Sequence, residues 1–259
     1  MEPEVLYEVR EHVAYVTINR PERRNALNLS ATADLVRRFC EAGEDPEVRA
    51  ILLTGAGDKA FCAGGDLKEF DELAKQGARF PMPMTGPERN LFEVVLETYK
   101  PVIAAINGPV LAGGCELALA CDLRIAADHA VLGMPEAKRG MGANYATVLL
   151  PRLVPRAIAL EMLYTGDPLS PEESLRWGLF NKVVPRGTLR DEAEAYVRSI
   201  AVNAPLTLRR YKEMTTKGWE LSVHQALRLN VGPNPYLSED REEGIRAFVE
   251  KREPRWTGR

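Results

Sequence analysis

Residues 102–121 form an apolar run long enough to cross a bilayer, but it is punctuated in ways that a lipid-embedded helix does not tolerate. Asn107-Gly108 is a turn pair, Pro109 follows it, Gly113-Gly114 makes a second break, and Glu116 puts an ionisable group inside the run. An Asn-Gly pair and a charge in mid-span are both costly in hydrocarbon. The segment is therefore expected to be the buried centre of a water-soluble fold: a strand, a glycine turn and the start of a helix. No membrane partner is expected.

The chain has 259 residues, 45% of them hydrophobic. At that size a fold buries roughly 70–75% of its unfolded surface, and no disulfide or metal staple is needed. Lys plus Arg number 34 against 37 Asp plus Glu, a net charge of −3. That balance excludes a protein whose affinity rests on neutralising a phosphate backbone, so no nucleic-acid partner is expected. Cys40, Cys62, Cys115 and Cys121 contain no C-x-x-C pair and are expected to be buried free thiols of a reducing compartment. His12, His129 and His224 are scattered, which argues against a multi-histidine zinc site, and no metal is expected. The start, Met1-Glu2-Pro3-Glu4, has neither a basic nor a long apolar export region, and a cytoplasmic location is the expectation.

The hydrophobic pattern predicts two strands within residues 5–18 and a helix over 30–40 capped by Ser30 and stopped by Asp45-Pro46. A strand buried on both faces follows at 50–54, then a helix at 91–99, a strand at 101–106, a helix from 115 and a strand at 123–126. Such alternation means an α/β core. Ser170-Pro171 opens a run of helices, predicted at 188–203, 205–217, 222–230 and from Ser238 to Lys251. The last carries an apolar stripe of Ile245, Phe248 and Val249. Residues 1–195 are read as the core and 196–259 as a helical region too small to stand alone, which docks on the core or on another subunit.

Three local features carry chemistry. Gly55-x-Gly57-x-x-Ala60 fits a dinucleotide fingerprint, but Gly64-Gly65 falls where the phosphate-binding helix should be running. No strand ending in a ribose-binding acid appears about 20 residues on. A second glycine loop, residues 107–114, again opens a helix whose first N–H groups are unpaired. One N–H from each loop converging on one oxygen would make an oxyanion hole for a carbonyl that becomes enolate-like. The third feature is the pair Glu116 and Glu136, each in an apolar stretch where burial raises a carboxyl toward the range useful for proton transfer. The bland alternative is a salt bridge to Lys138, Arg139 or Arg124.

Taken together, residues 60–69, 101–108, 112–116 and Pro135-Glu136 resemble the enoyl-CoA hydratase/isomerase (crotonase) family. Supporting pieces run from Asn19-Arg20-Pro21 and Asn25-Ala26-Leu27 through Tyr164-Thr165-Gly166 to residues 243–252. The resemblance implies a spiral ββα core and a helical C-terminal trimerisation region, with trimers that pair into hexamers. It implies that the N–H groups of Gly65 and Gly113 hold a thioester oxygen. Ala26, Ala63, Asp66, Leu67 and Lys68 would line the CoA channel, with Lys251 reaching the CoA phosphate of a neighbouring subunit. Because both glutamates are present, it implies an enoyl-CoA hydratase of fatty-acid metabolism. Glu116 would activate water and Glu136 would protonate the α-carbon. CoA enters as part of the substrate, with no separate cofactor. A 3-enoyl to 2-enoyl isomerase, a dehydratase of carnitinyl-CoA type, an alicyclic dienoyl-CoA hydratase and an idle CoA-binding scaffold are the alternatives. The chain departs from the family at residues 139–147, where Asn144 and Tyr145 replace glycine-rich sequence beside the acyl pocket; Asn144, where a family glycine N–H helps hold the water, is expected to suit a helix cap that keeps that donor, and Tyr145 is expected to be a packing aromatic, with narrowing of the acyl pocket as the alternative. The Pro-rich segment 81–87 is expected to be a loop over the acyl end.

Overall fold

The computed structural model describes residues 2–78 and 88–259; the Pro-rich segment at 81–87 lies outside them. The strands are β1 Val5–Arg10, β2 Val13–Ile18, β3 Ala50–Gly55, β4 Val102–Ile106, β5 Val110–Leu111, β6 Leu123–Ala127, β7 Leu132–Gly133 and β8 Lys182–Val184. The helices are α1 Leu29–Glu44, α2 Leu67–Lys75, α3 Leu91–Leu96, α4 Gly113–Ala120, α5 Asn144–Leu153, α6 Arg156–Thr165 and α7 Pro171–Arg176. They continue with α8 Leu189–Ala201, α9 Pro205–Gly218, α10 Val223–Arg228 and α11 Glu239–Glu250.

β1 and β2 pair antiparallel, and from β2 onward every pairing is parallel, in the order β1-β2-β3-β4-β6-β8. A parallel sheet is covered on both faces, and β4 is buried along its whole length. One face packs under α1, α3 and α4 with Phe39, Phe61, Ile106 and Leu117; the other packs under α8 with Ala193 and Val197. Helix α8, which spans the expected core boundary at residue 195, thus closes the sheet itself.

The run at 102–121 resolves into β4, β5 and α4, and among the described residues no helix is long and apolar enough to cross a membrane. Several expectations need correction. Asn28, not Ser30, caps α1: its side chain accepts the Ala31 N–H at 2.7 Å, and the helix runs on to Glu44. Helix α3 stops at Leu96 rather than near residue 99. Cys40 is exposed on α1, whereas Cys62, Cys115 and Cys121 are buried; burial pushes the thiols of Cys62 and Cys121 up to about 12.

Lys212 joins the C-terminal helices to the core. Its buried ammonium lies 2.8 Å from Asp122 and 3.1 Å from the Lys100 carbonyl. Asp122 in turn accepts the Val102 N–H at 2.7 Å at the start of β4. Apolar groups beyond this junction are left uncovered: Ile245 is 54%, Phe248 85% and Val249 72% exposed.

Candidate active site

Neighbouring parallel strands deliver their carboxyl ends to the same edge of a sheet, so the loops that follow them meet. β3 and β4 pair from Ile51 with Val102 to Thr54 with Ala105. The two glycine loops leave from there. The first does not open a helix after Gly57; the next helix begins at Leu67. Instead two asparagine amides latch it. Asn25 donates to the carbonyls of Ala56 at 3.0 Å and Ala60 at 2.8 Å, and Asn107 to those of Gly55 at 2.9 Å and Gly57 at 2.8 Å. With no helix opening after Gly57, the dinucleotide reading lacks its phosphate-binding helix terminus.

Backbone ladders stitch the loops together. Leu27 bridges Gly65, Cys62 bridges Val110, and β5 pairs with β7 through Val110–Leu132 and Leu111–Gly133. The Gly64 carbonyl accepts the Leu27 N–H at 2.7 Å. A trans peptide sets its N–H opposite its C=O, so the Gly65 N–H is turned away from Leu27. The Ala112 carbonyl accepts the Glu116 N–H at 3.0 Å within α4, so the Gly113 N–H points out of the helix start. Gly113 stands beside Gly65: a Cβ built on it would lie 3.9 Å from the Gly65 nitrogen. Among the described residues neither amide donates a hydrogen bond. The peptide before Gly113 is strained, with Ala112 at φ 54° and ψ −131°, a region that costs non-glycine residues about 1–3 kcal/mol.

Glu116 and Glu136 are both buried, the first on α4 and the second on the 3₁₀ turn Pro135–Arg139 that follows β7. The salt-bridge alternative fails for both. Lys138 pairs with Asp167, Arg139 reaches the Pro135 carbonyl, and Arg124 is spent on the carbonyls of Leu179, Ala118 and Cys121. Burial raises Glu116 to about 7. The Ala146 N–H, which its Oε1 accepts at 2.9 Å, works against that rise and the charge of Glu136 adds to it. Burial also raises Glu136, whose Oε2 has no hydrogen-bond partner. Burial outweighs the charge of Arg139, which lowers Glu136, and two buried acids with raised pKa and no salt bridge are fitted to exchange protons with a ligand.

Among the other expected residues, Ala26 and Asp66 are buried and Ala63 is half-buried, while Leu67 and Lys68 are exposed on the first turn of α2. Asp66 is engaged: its carboxylate lies 3.0 Å from Arg20 and caps α2 through the Glu69 N–H. Burial opposes its charge, but the Arg20 and Glu69 hydrogen bonds and the Arg20 charge outweigh burial and hold it below the usual carboxylate value. Arg20 also donates to the Ala26 carbonyl and pairs with Glu4 at 2.9 Å, locking the segment between β2 and α1 to the Gly65 loop. Asn144 is the first residue of α5 rather than its cap, a place taken by Ala143. The Tyr145 ring packs on Phe92 with centroids 5.4 Å apart, and its hydroxyl is buried without a partner. Phe92 in turn lies 3.9 Å from where a Gly113 Cβ would stand. Lys251 is exposed at the left-handed end of α11 and makes no hydrogen bond or ion pair with the glycine loops among the described residues. Among those residues no cluster of three or more His, Cys, Asp or Glu side chains is arranged for a metal.

The roles of Arg20, Ala112 and Phe92 are not among those expected from the sequence. Arg20 has a signal, a cation two residues after an apolar strand. Ala112 and Phe92 have none.

Residues 8–259 match the family model for enoyl-CoA hydratase/isomerase. The chain is 40% identical over 261 residues to the (E)-benzylidenesuccinyl-CoA hydratase of Thauera aromatica, covering 98% of this chain and 99% of that protein. It is 39% identical to a carnitinyl-CoA dehydratase of Escherichia coli, with 94% of each chain covered. The crystal structure of an enoyl-CoA hydratase from Mycobacterium tuberculosis superposes with a TM-score of 0.88 at 37% identity, covering 100% of both chains.

Proposed function

Because the chain belongs to the enoyl-CoA hydratase/isomerase family, we propose that it adds water reversibly across the 2,3 double bond of a 2-enoyl-CoA thioester. The observation that carries this reading is the pair of buried acids, Glu116 and Glu136, both raised by burial and neither held in a salt bridge among the described residues. An isomerase that only shuttles one proton has work for one of them. Hydration has work for two, and the relatives compared above are named as a hydratase and a dehydratase.

In this reaction Glu116, deprotonated, takes a proton from water as the oxygen attacks the β-carbon. The electron pair of the double bond moves toward the thioester, and the resulting enolate oxygen is held by the N–H groups of Gly65 and Gly113. Protonated Glu136 delivers its proton to the α-carbon. By analogy with acyl-transfer sites, each N–H contributes about 3–4 kcal/mol to the transition state. A positioned base or acid adds about 3–5 kcal/mol. CoA is part of the substrate and the step requires no further cofactor.

The exposed Ile245, Phe248 and Val249 support assembly through the C-terminal helices, as a trimer or a pair of trimers. In that assembly Lys251 reaches the CoA phosphate of a neighbouring subunit. The enzyme works in the cytoplasm. The test follows the loss of conjugated enoyl-thioester absorbance with purified protein. Glu116→Gln and Glu136→Gln each lose turnover while still binding CoA thioesters; full activity in either variant removes its assigned role. Turnover of a 3-enoyl-CoA by Glu116→Gln identifies an isomerase instead.

A further inference from the structure

The hydratase reading explains why Gly65 and Gly113 present their amides, but not why the residue between β5 and Gly113 carries a side chain. Ala112 sits at φ 54° and ψ −131°, where glycine is at ease and an L-residue is not. A turn alone needs no methyl group at such a place.

The methyl has a neighbour. A Cβ added to Gly64 would lie 2.6 Å from the Ala112 Cβ and 3.2 Å from the Gly113 nitrogen. The side chain of Ala112 therefore rests against the Gly64 backbone, the peptide that carries the Gly65 N–H. Its own peptide carries the Gly113 N–H. The strained conformation is held on three sides: Leu111 N–H to the Cys62 carbonyl, Ala112 N–H to the Gly133 carbonyl and Glu116 N–H to the Ala112 carbonyl, each at 3.0 Å.

We propose that Ala112 is a positioning residue whose methyl group, wedged against Gly64, sets the separation of the two amide donors of the thioester site. The inference rests on the hydratase reading. It assigns to one strained residue the geometry that Gly65 and Gly113 need to grip a single oxygen.

Ala112→Gly tests it, since glycine adopts the same backbone without strain. Two readouts are compared with the wild type: steady-state hydration of crotonyl-CoA, and the infrared carbonyl stretch of bound, carbonyl-labelled butyryl-CoA, which cannot be hydrated. Donors that drift by a fraction of an ångström lower kcat by about ten- to a hundredfold while KM moves by less than about threefold. The downshift of the bound carbonyl shrinks, and the melting temperature stays at or above that of the wild type. Ala112→Ser, which keeps the β-carbon, retains more of the downshift than Ala112→Gly. An Ala112→Gly protein with the wild-type downshift and kcat overturns the inference, as does one that melts lower with the downshift intact. If the wild type itself binds the thioester without any downshift, the oxyanion reading fails and this inference falls with it.

Discussion

The Glu116 carboxylate accepts the Ala146 N–H at 2.9 Å, so a single buried acid is both a reacting group of the proposed site and the N-terminal cap of α5. No side chain of α5 or Ala143 does that capping. Glu116→Gln keeps an acceptor oxygen for the amide and removes the charge that burial disfavours. A carboxyl raised from 4.5 to about 7 binds a proton in the folded protein that the unfolded chain has already lost. Stability therefore falls as pH rises between those values, by up to about 3 kcal/mol. Glu116→Gln is expected to be more stable than wild type at pH 8, with the gain fading toward pH 4.5. Urea denaturation at both pH values checks the sign. In the same window, hydration by the wild type rises with pH through about 7 as Glu116 becomes a base, and the variant loses about 10²–10⁴ in rate.

Arg20 ties three loops with one guanidinium, and Asp66 is its buried counter-charge. Removing one partner of a buried pair costs about 3–5 kcal/mol because the other is stranded. Arg20→Met, which strands Asp66, is expected to lose stability on that scale at neutral pH, and Asp66→Asn less, since Glu4 still faces the guanidinium at 2.9 Å. Asp66 is held below its ordinary 3.8, so its contribution is present above that value and is lost as pH falls through the lower, folded-state value. The gap between wild type and Asp66→Asn should accordingly close in strongly acidic solution. A gap that stays constant through acid unfolding would place the effect elsewhere.

Lys212 is the only described lysine among the buried charged residues, and its partner Asp122 lies directly before β6. Lys212→Met is expected to lower the denaturation midpoint by the equivalent of about 1–3 kcal/mol, since Asp122 is partly exposed and keeps the Val102 N–H. Adding Asp122→Asn should recover part of that loss, since no carboxylate is then left alone. A Lys212→Met protein as stable as wild type would mean that α9 is held by its apolar contacts alone.

Phe248 is 85% exposed on α11 beside Ile245 and Val249. Phe248→Glu puts a charge into the face proposed to join subunits. Light scattering after size exclusion should then report a smaller particle than the wild type. Identical masses for the two proteins would exclude that face from assembly.

The paired strands and α4 were legible because long apolar runs and glycine breaks are local signals: β3 and β4 match their expected spans within a residue or two. The cap of α1 was misassigned because Asn28 and Ser30 both suit the position, and only the Asn28 side chain faces the Ala31 N–H. β5 and β7 span two residues each, too few for a period of two to register. Glu116 and Glu136 stood out by their apolar surroundings. The strain at Ala112 did not, since it arises from Gly64 and Gly133, remote in sequence and adjacent only in the fold. Arg20 was visible as a motif residue, but its partner Asp66 is 46 positions away.

The short β5–β7 ladder has a consequence for how such an enzyme can diversify. It joins Leu111 to Gly133, two residues before Gly113, whose N–H points out of the start of α4, and three before Glu136. The spacing between the Gly113 amide and Glu136 is thereby written in main-chain bonds rather than in side-chain packing. Mutations that reshape the surroundings of Phe92 or Tyr145 leave that ruler unmarked. In the proposed site one acyl group could then be exchanged for another while the Gly113 amide and Glu136 keep their register.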